Sequence, residues 1–113
     1  MNNKNSIVYL YGFSPTLSVK SNMLLKIIKE QLETNTEINV VLIHDGVIGT
    51  SMKGETPKFL VELLRLPVNA YALSSDIKAR GIDPNNLINH IKGIEYEDLV
   101  DILVNTQKIV SWV

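Results

Sequence analysis

Short runs of apolar residues alternate along this chain with longer amphipathic stretches. The apolar runs are continuous, which is typical of strands buried on both faces of a sheet. Four runs are clear, and a weaker fifth candidate covers residues 93–96. The clear runs are residues 7–11, 40–43, 70–73 and 109–113.

The stretches between these runs have the spacing of helices. Residues 18–33 place apolar side chains on one side and charged side chains on the other. Residues 57–66 follow Thr56, a suitable N-cap, and open with a proline at the first helical position. The other predicted helices are a short one capped by Ser75 and Asp76 and stopped by Gly81, a brief segment from Pro84 to residue 90, and residues 97–105.

Strands that alternate with helices predict a parallel sheet joined by right-handed crossovers. The expected fold is a three-layer α/β/α sandwich with a mostly parallel sheet of about five strands, flavodoxin-like in outline. A chain of 113 residues matches the size of one domain, so we expect a single domain over residues 1–113. A chain of this size buries roughly two-thirds of its unfolded surface, which is enough for a core without disulfides.

The cysteine count is zero. It excludes a thiolate nucleophile, a persulfide carrier, an iron–sulfur cluster and a cysteine zinc site among these residues. The net charge of −1 lacks the basic excess of a nucleic-acid surface. We therefore expect no contact with nucleic acid. No window resembles a signal peptide or a membrane span, so we expect a cytoplasmic protein that does not contact a membrane.

Candidate chemistry lies in the loops that follow the strands, because ligands of open α/β sheets bind beyond the carboxyl ends of strands. His44 and Asp45 are adjacent and could shuttle protons or bind a metal ion. The alternative is a simple turn of Asp45 and Gly46 at a strand end, with His44 partly packed. The sequence favours the turn, because it shows neither a nucleophile nor a third ligand nearby. We therefore expect no metal and no catalytic residue.

Two further features have a plain and a functional interpretation. Ser14 and Pro15 follow the first strand, but the loop lacks the glycine pattern of a phosphate site, and no base is evident beside Ser14. Asp76 and Arg80 are four residues apart, which favours a helical ion pair over a ligand clamp. Gly81 is most simply a left-handed C-cap.

The last predicted helix is unusually apolar. Its only polar stripe consists of Asp98, Asp101 and Asn105. An apolar arc this wide exceeds what one sheet face covers, so the remainder either binds a partner or is covered by the C-terminal strand and loops. Trp112 has the same two interpretations, core filling or an interface anchor.

Several segments, in order along nearly the whole chain, resemble the DsrH/TusB family. Residues 41–47 (VLIHDGV) resemble its LLxxDGV strand and turn, and residues 71–82 (YALSSDIKARGI) resemble YALxxDLxARGL. Residues 94–100 (IEYEDLV) are similar to xIDYxxFV, and residues 110–113 (VSWV) to xxWL. Ser14 and Pro15 stand where the family has SP after its first strand.

The resemblance implies a DsrE/F/H-like fold and a role in sulfur relay. In that family three related subunits form a heterohexamer, and a cysteine persulfide on one subunit passes sulfur toward tRNA 2-thiouridine formation or serves sulfur oxidation. Some members carry a cysteine early in the first helix, where residues 20–25 have none. The resemblance therefore implies a non-catalytic accessory subunit without a cofactor. Its partners would be DsrE/TusD-like and DsrF/TusC-like subunits, or further copies of this chain.

The resemblance, together with the apolar last helix and Trp112, assigns expected roles to two sets of residues. The first set shapes the shared loops, and the second set contacts other subunits. The loop residues are Ser14, Pro15, His44, Asp45, Gly46, Asp76, Arg80 and Gly81. The contact residues are Tyr96, Leu99, Leu103 and Trp112.

Two other functions remain open from the sequence. Ser14, His44, Asp45 and Ser75 are all expected at one sheet edge, as in a homo-oligomeric module that binds a nucleotide or another small ligand. A hydrolase that uses His44 and Asp45 ranks last, because the sequence specifies no activity.

Overall fold

A computed structural model describes residues 5–16 and 18–113, and within them the chain forms five strands and four α-helices. In chain order these are β1 (Ser6–Tyr11), α1 (Ser18–Leu32), β2 (Glu37–Leu42), α2 (Lys58–Leu63), β3 (Asn69–Leu73), α3 (Ser74–Ala79), β4 (Ile91–Ile94), α4 (Tyr96–Val104) and β5 (Lys108–Trp112). Short 3₁₀ turns cover His44–Val47 and Pro84–Asn86.

The five strands form one sheet in the order β4-β3-β2-β1-β5, and every pair is parallel. This confirms the predicted α/β class and the parallel sheet. The first three crossovers step along the sheet in one direction, whereas the last one returns past β1 to β5. Right-handed crossovers that step in opposite directions place their helices on opposite faces, so α4 is separated from α1, α2 and α3.

One face of the sheet, called here the closed face, is covered by three helices. Its strand residues include Ile7, Tyr9 and Tyr11, which belong to one buried cluster with side chains from α1, α2 and α3. The helical members of that cluster are Leu24, Leu25, Ile28, Phe59, Leu60, Leu63 and Ile77. The main core of the protein therefore lies on this side.

The opposite face, called here the open face, carries a smaller cluster. Val8, Val41, Ile43 and Ile94 from the sheet pack there with Leu99 of α4. Within the described residues, α4 is the helix on this face. The layers therefore form the expected three-layer sandwich, with one thick and one thin helical layer.

Some predicted boundaries were wrong. The N-cap of α2 is Pro57 and has no side-chain cap, so Thr56 does not have the predicted role. α3 begins at Ser74, which places Ser75 and Asp76 in its first turn. The segment after Pro84 is a single 3₁₀ turn, and β4 begins two residues before the predicted strand.

Candidate functional site

The loops that leave β2 and β3 meet at the carboxyl edge of the sheet. β2 is followed by the 3₁₀ turn of His44–Val47, and β3 runs directly into α3. The backbone N–H of His44 donates to Asp76 Oδ2 at 2.8 Å, and His44 Nδ1 lies 4.0 Å from Asp76 Oδ1. His44 has a φ of +50°, in the left-handed region, and this hydrogen bond holds its backbone there.

Arg80 ties the same two loops together. Its Nη2 lies 3.0 Å and its Nε 3.2 Å from Asp45 Oδ1. Its Nη1 lies 3.5 Å from Asp76 Oδ1, so the predicted ion pair within the helix is confirmed. The second ion pair joins Arg80 to Asp45, which is 35 positions away in the sequence. Helical spacing therefore could not predict it. We call His44, Asp45, Asp76 and Arg80 the edge clamp.

Close backbone packing against the end of β1 supports the edge clamp. A Cβ atom at Gly46 would lie 2.2 Å from the carbonyl oxygen of Tyr11, so the turn approaches the end of β1 as only glycine permits. Gly81 has a φ of +71° directly after the C-cap residue Arg80, which confirms the predicted left-handed position. The family-motif glycines therefore shape the two loops that carry the clamp.

The ion pairs of the edge clamp hold two loops together. The guanidinium of Arg80 is shared between two carboxylates of its own chain, which satisfies much of its charge. Among residues 5–16 and 18–113, no group of three or more histidine, aspartate or glutamate side chains could hold a metal ion. That this edge binds a nucleotide, or hydrolyses a substrate with His44 and Asp45, stays a prediction.

Ser14 and Pro15 occupy a neighbouring loop after β1. The Ser14 hydroxyl lies 2.9 Å from the hydroxyl of Thr16 and accepts the Thr16 backbone N–H. Pro15 is buried, and its carbonyl accepts a hydrogen bond from Ser21 Oγ. Ser21 Oγ also lies 3.1 Å from the Tyr11 hydroxyl, so the loop is fastened to the closed-face core. These hydrogen bonds stabilise the loop that contains Ser14 and Pro15.

The four predicted contact residues lie in different environments. Tyr96 is 68% exposed on α4. Leu99 is 7% exposed and Leu103 half-buried, both packed in the open-face cluster. Leu99 therefore belongs to the core of the single chain, and its role as a subunit contact stays a prediction. Trp112 is half-buried, with its ring centroid 6.4 Å from that of Tyr11, which is the core-filling alternative.

Three further exposed apolar residues of this region were not among the predicted contact residues. Val100 and Val104 are 38% and 76% exposed, and with Tyr96 they form an i, i+4, i+8 stripe along α4. Ile109 of β5 is 50% exposed. The wide apolar arc was visible in the sequence, but which half of it packs on the sheet depends on how α4 is rotated. No helix in the described part of the chain has the length and hydropathy to cross a membrane.

Comparison with protein families gives a match over most of the chain. A family model described as DsrH like protein matches residues 14–109. Protein TusB of Erwinia tasmaniensis is 32% identical over 78 residues, which cover 66% of this chain and 74% of that protein. Protein TusB of Yersinia pestis is 30% identical over 77 residues, which cover 68% of this chain and 77% of that protein.

Solved structures share the fold. The ychN protein from E. coli has a TM-score of 0.72 at 17% identity, with 96% of this chain and 99% of that chain covered. A protein of unknown function from Methanobacterium thermoautotrophicum has a TM-score of 0.74 at 15% identity over the same shares of the two chains. At such identities the likeness shows the fold alone. Together with the match to the family model and the TusB relatives, it leads to one conclusion: the chain belongs to the DsrH-like protein family.

Proposed function

We propose that this chain is a non-catalytic subunit of a sulfur relay complex, in which a cysteine-bearing partner carries out persulfide sulfur transfer. The observation that carries the proposal is the family match over residues 14–109 in a sequence that contains zero cysteines. Sulfur is passed between thiols by attack of a thiolate on a sulfur–sulfur bond. The three methionines have thioether sulfurs, which form no thiolate and so cannot carry the persulfide.

In the proposed complex the thiols belong to other subunits. A DsrE/TusD-like subunit carries the persulfide, a DsrF/TusC-like subunit completes the assembly, and this chain contributes shape and contacts. The relay serves tRNA wobble-uridine 2-thiolation or sulfur oxidation, and the complex works in the cytoplasm.

Two structural features support an accessory role. The edge clamp joins the loops after β2 and β3 with internal ion pairs, which suits a fixed surface better than a reacting centre. The open face has one covering helix within the described residues and leaves apolar side chains exposed. Such a surface is typical of a protein that binds another protein.

Co-expression with the TusC-like and TusD-like subunits of the same organism tests the proposal. We expect this chain to co-purify with both subunits. After loading with a sulfur donor, mass spectrometry should find the extra sulfur on a cysteine of the partner and none on this chain. If the chain stays monomeric and binds neither subunit at micromolar concentration, the proposal is wrong.

A further inference from the structure

The open face is wider than the helix that covers it. Five strands about 4.8 Å apart span about 19 Å, whereas an α-helix with its side chains is about 10–12 Å across. On the closed face three helices share the same width. One helix on the open face therefore leaves about 7–9 Å of the width of the sheet uncovered.

The position of α4 shows where this strip lies. Asp101, Ile102 and Asn105 line a cavity together with Glu37 and Asn39 of β2, so this flank of α4 is directed toward β2. With 100° between successive residues, the stripe of Tyr96, Val100 and Val104 falls on the opposite flank. The stripe therefore faces the part of the uncovered sheet on the side of β1 and the edge strand β5, and the strip named below is that part.

Apolar residues line both sides of the strip. On α4 they are Tyr96, Val100 and Val104, which are 68%, 38% and 76% exposed. On β5, Ile109 is 50% exposed and pairs in register with Val8, a residue of the open face. We call Tyr96, Val100, Val104 and Ile109 the open-face patch.

Along α4, the charge beside the patch has one sign. Glu95, Glu97, Asp98 and Asp101 are all exposed, and no lysine or arginine occurs from residue 95 to residue 105. Of these, Glu97 lies next to the stripe, and Asp101 lies on the solvent side between the stripe and the flank directed toward β2. The apolar strip therefore has an acidic rim along α4.

We infer that the open-face patch is the docking surface for a different subunit, which presents apolar side chains bordered by lysine and arginine. The inference rests on the proposed function and names the partner chemistry that it requires. A two-fold contact between two copies of this chain through α4 would bring two acidic rims together, and the like charges would repel. A basic border on another subunit would instead pair with the rim and speed association.

Paired variants of this chain, bound to the TusC-like and TusD-like subunits, test the inference. The patch variant Val104→Ser has a matched control in Val19→Ser, because Val19 lies on α1 and is 72% exposed. We expect Val104→Ser with Ile109→Ser to weaken binding at least about tenfold, as for residues at the centre of an interface. The matched pair Val19→Ser with Met23→Ser should change binding less than about twofold.

Charge reversal tests the rim separately. Glu97→Lys with Asp101→Lys should slow association and remove the decrease in association rate that salt causes for the wild type. Hydrogen exchange on the unmodified complex adds a measurement that needs no variant. Residues 96–104 and 108–112 should become protected when the partners bind.

The outcomes separate this inference from the proposed function. If the wild type binds both subunits but only the Val19→Ser and Met23→Ser variant loses binding, the surface assignment is wrong and the proposed function stands. If the wild type binds neither subunit, both are wrong. If the chain alone dimerises and Val104→Ser abolishes the dimer, the occupant is a second copy, and the inference of a basic partner is overturned.

Discussion

The two faces of the sheet contain similar strand residues but have different cover. On the closed face, α1, α2 and α3 bury Ile7, Tyr9 and Tyr11 of β1. On the open face, Val8 of the same strand is buried by α4, but Ile109 on the neighbouring strand is half exposed. The continuous apolar run of β1 is compatible with burial on both faces of the sheet. Among the described residues, however, the helices of the chain bury only part of the open face.

This difference separates residues that stabilise the fold from residues that are free to bind. A side chain on the closed face is held by several elements, so a change there acts on the free energy of unfolding. A side chain on the exposed flank of α4 has water on one side, so a change there acts on association. The predictions below test this division.

The largest effect is expected for leucine truncations in the two cores. Leu60 of α2 is fully buried on the closed face, and Leu99 of α4 is 7% exposed on the open face. Truncation of a buried leucine costs about 2–5 kcal/mol, depending on how well the site collapses. We expect Leu60→Ala in the upper half of that range and Leu99→Ala near its lower end, measured by urea denaturation. A larger loss for Leu99→Ala would mean that the thin layer contributes as much stability as the thick one.

The next effect is a loss of stability at alkaline pH that originates on the closed face. Burial raises the pKa of the Tyr9 phenol, and it raises the pKa of Tyr11 while the hydrogen bond with Ser21 opposes part of that shift. Above the ordinary phenol pKa of about 10, the unfolded chain has lost protons that the folded chain keeps. Stability that is complete below pH 10 therefore falls as the pH rises toward the folded pKa values, by at most about 1.4 kcal/mol per pH unit for each tyrosine.

Urea denaturation at pH 7 and between pH 10 and 11 measures this slope. The double variant Tyr9→Phe with Tyr11→Phe should show a flatter decrease than the wild type, because phenylalanine does not titrate. In this variant the Ser21 hydroxyl keeps the Pro15 carbonyl as its acceptor. Equal slopes for the two proteins would show that these phenols do not cause the alkaline loss.

A smaller effect is expected at the edge clamp, which braces two elements of the closed face. Asp76→Ala removes the acceptor of the His44 backbone N–H and one carboxylate partner of Arg80. Because the Asp76 side chain is only 17% exposed, we expect a loss of about 1–2 kcal/mol, in the range for hydrogen bonds to charged groups. Asp45→Ala, where the carboxylate is 62% exposed, should cost less than about 1 kcal/mol. If thermal unfolding ranks the two variants in the reverse order, Asp76 is not the main acceptor of the clamp.

The sequence predicted the elements of this fold better than it predicted their surroundings. The apolar runs and the amphipathic spacing located the strands and helices within a few residues, because burial requires those patterns locally. The pairing of Asp45 with Arg80 escaped prediction, since it depends on the parallel alignment of β2 and β3 rather than on spacing along the chain. Leu99 was not recognised as a core residue for a similar reason. It shares the apolar arc of α4 with Val104, and only the rotation of the helix on the sheet separates the two.

The smallest effect on stability is expected on the exposed flank of α4. Val104 is 76% exposed at the last residue of the helix, and valine and serine have similar helix propensities. Val104→Ser should therefore unfold within about 0.5 kcal/mol of the wild type, as is usual for surface substitutions. The same variant should lower the affinity for the partner subunits, so it would lose binding without losing stability, whereas Leu60→Ala would lose stability first. Urea denaturation of the isolated chain could instead show that Val104→Ser lowers the free energy of unfolding as much as Leu99→Ala does. In that case the flank packs against its own chain, and the open face has no uncovered surface for a partner.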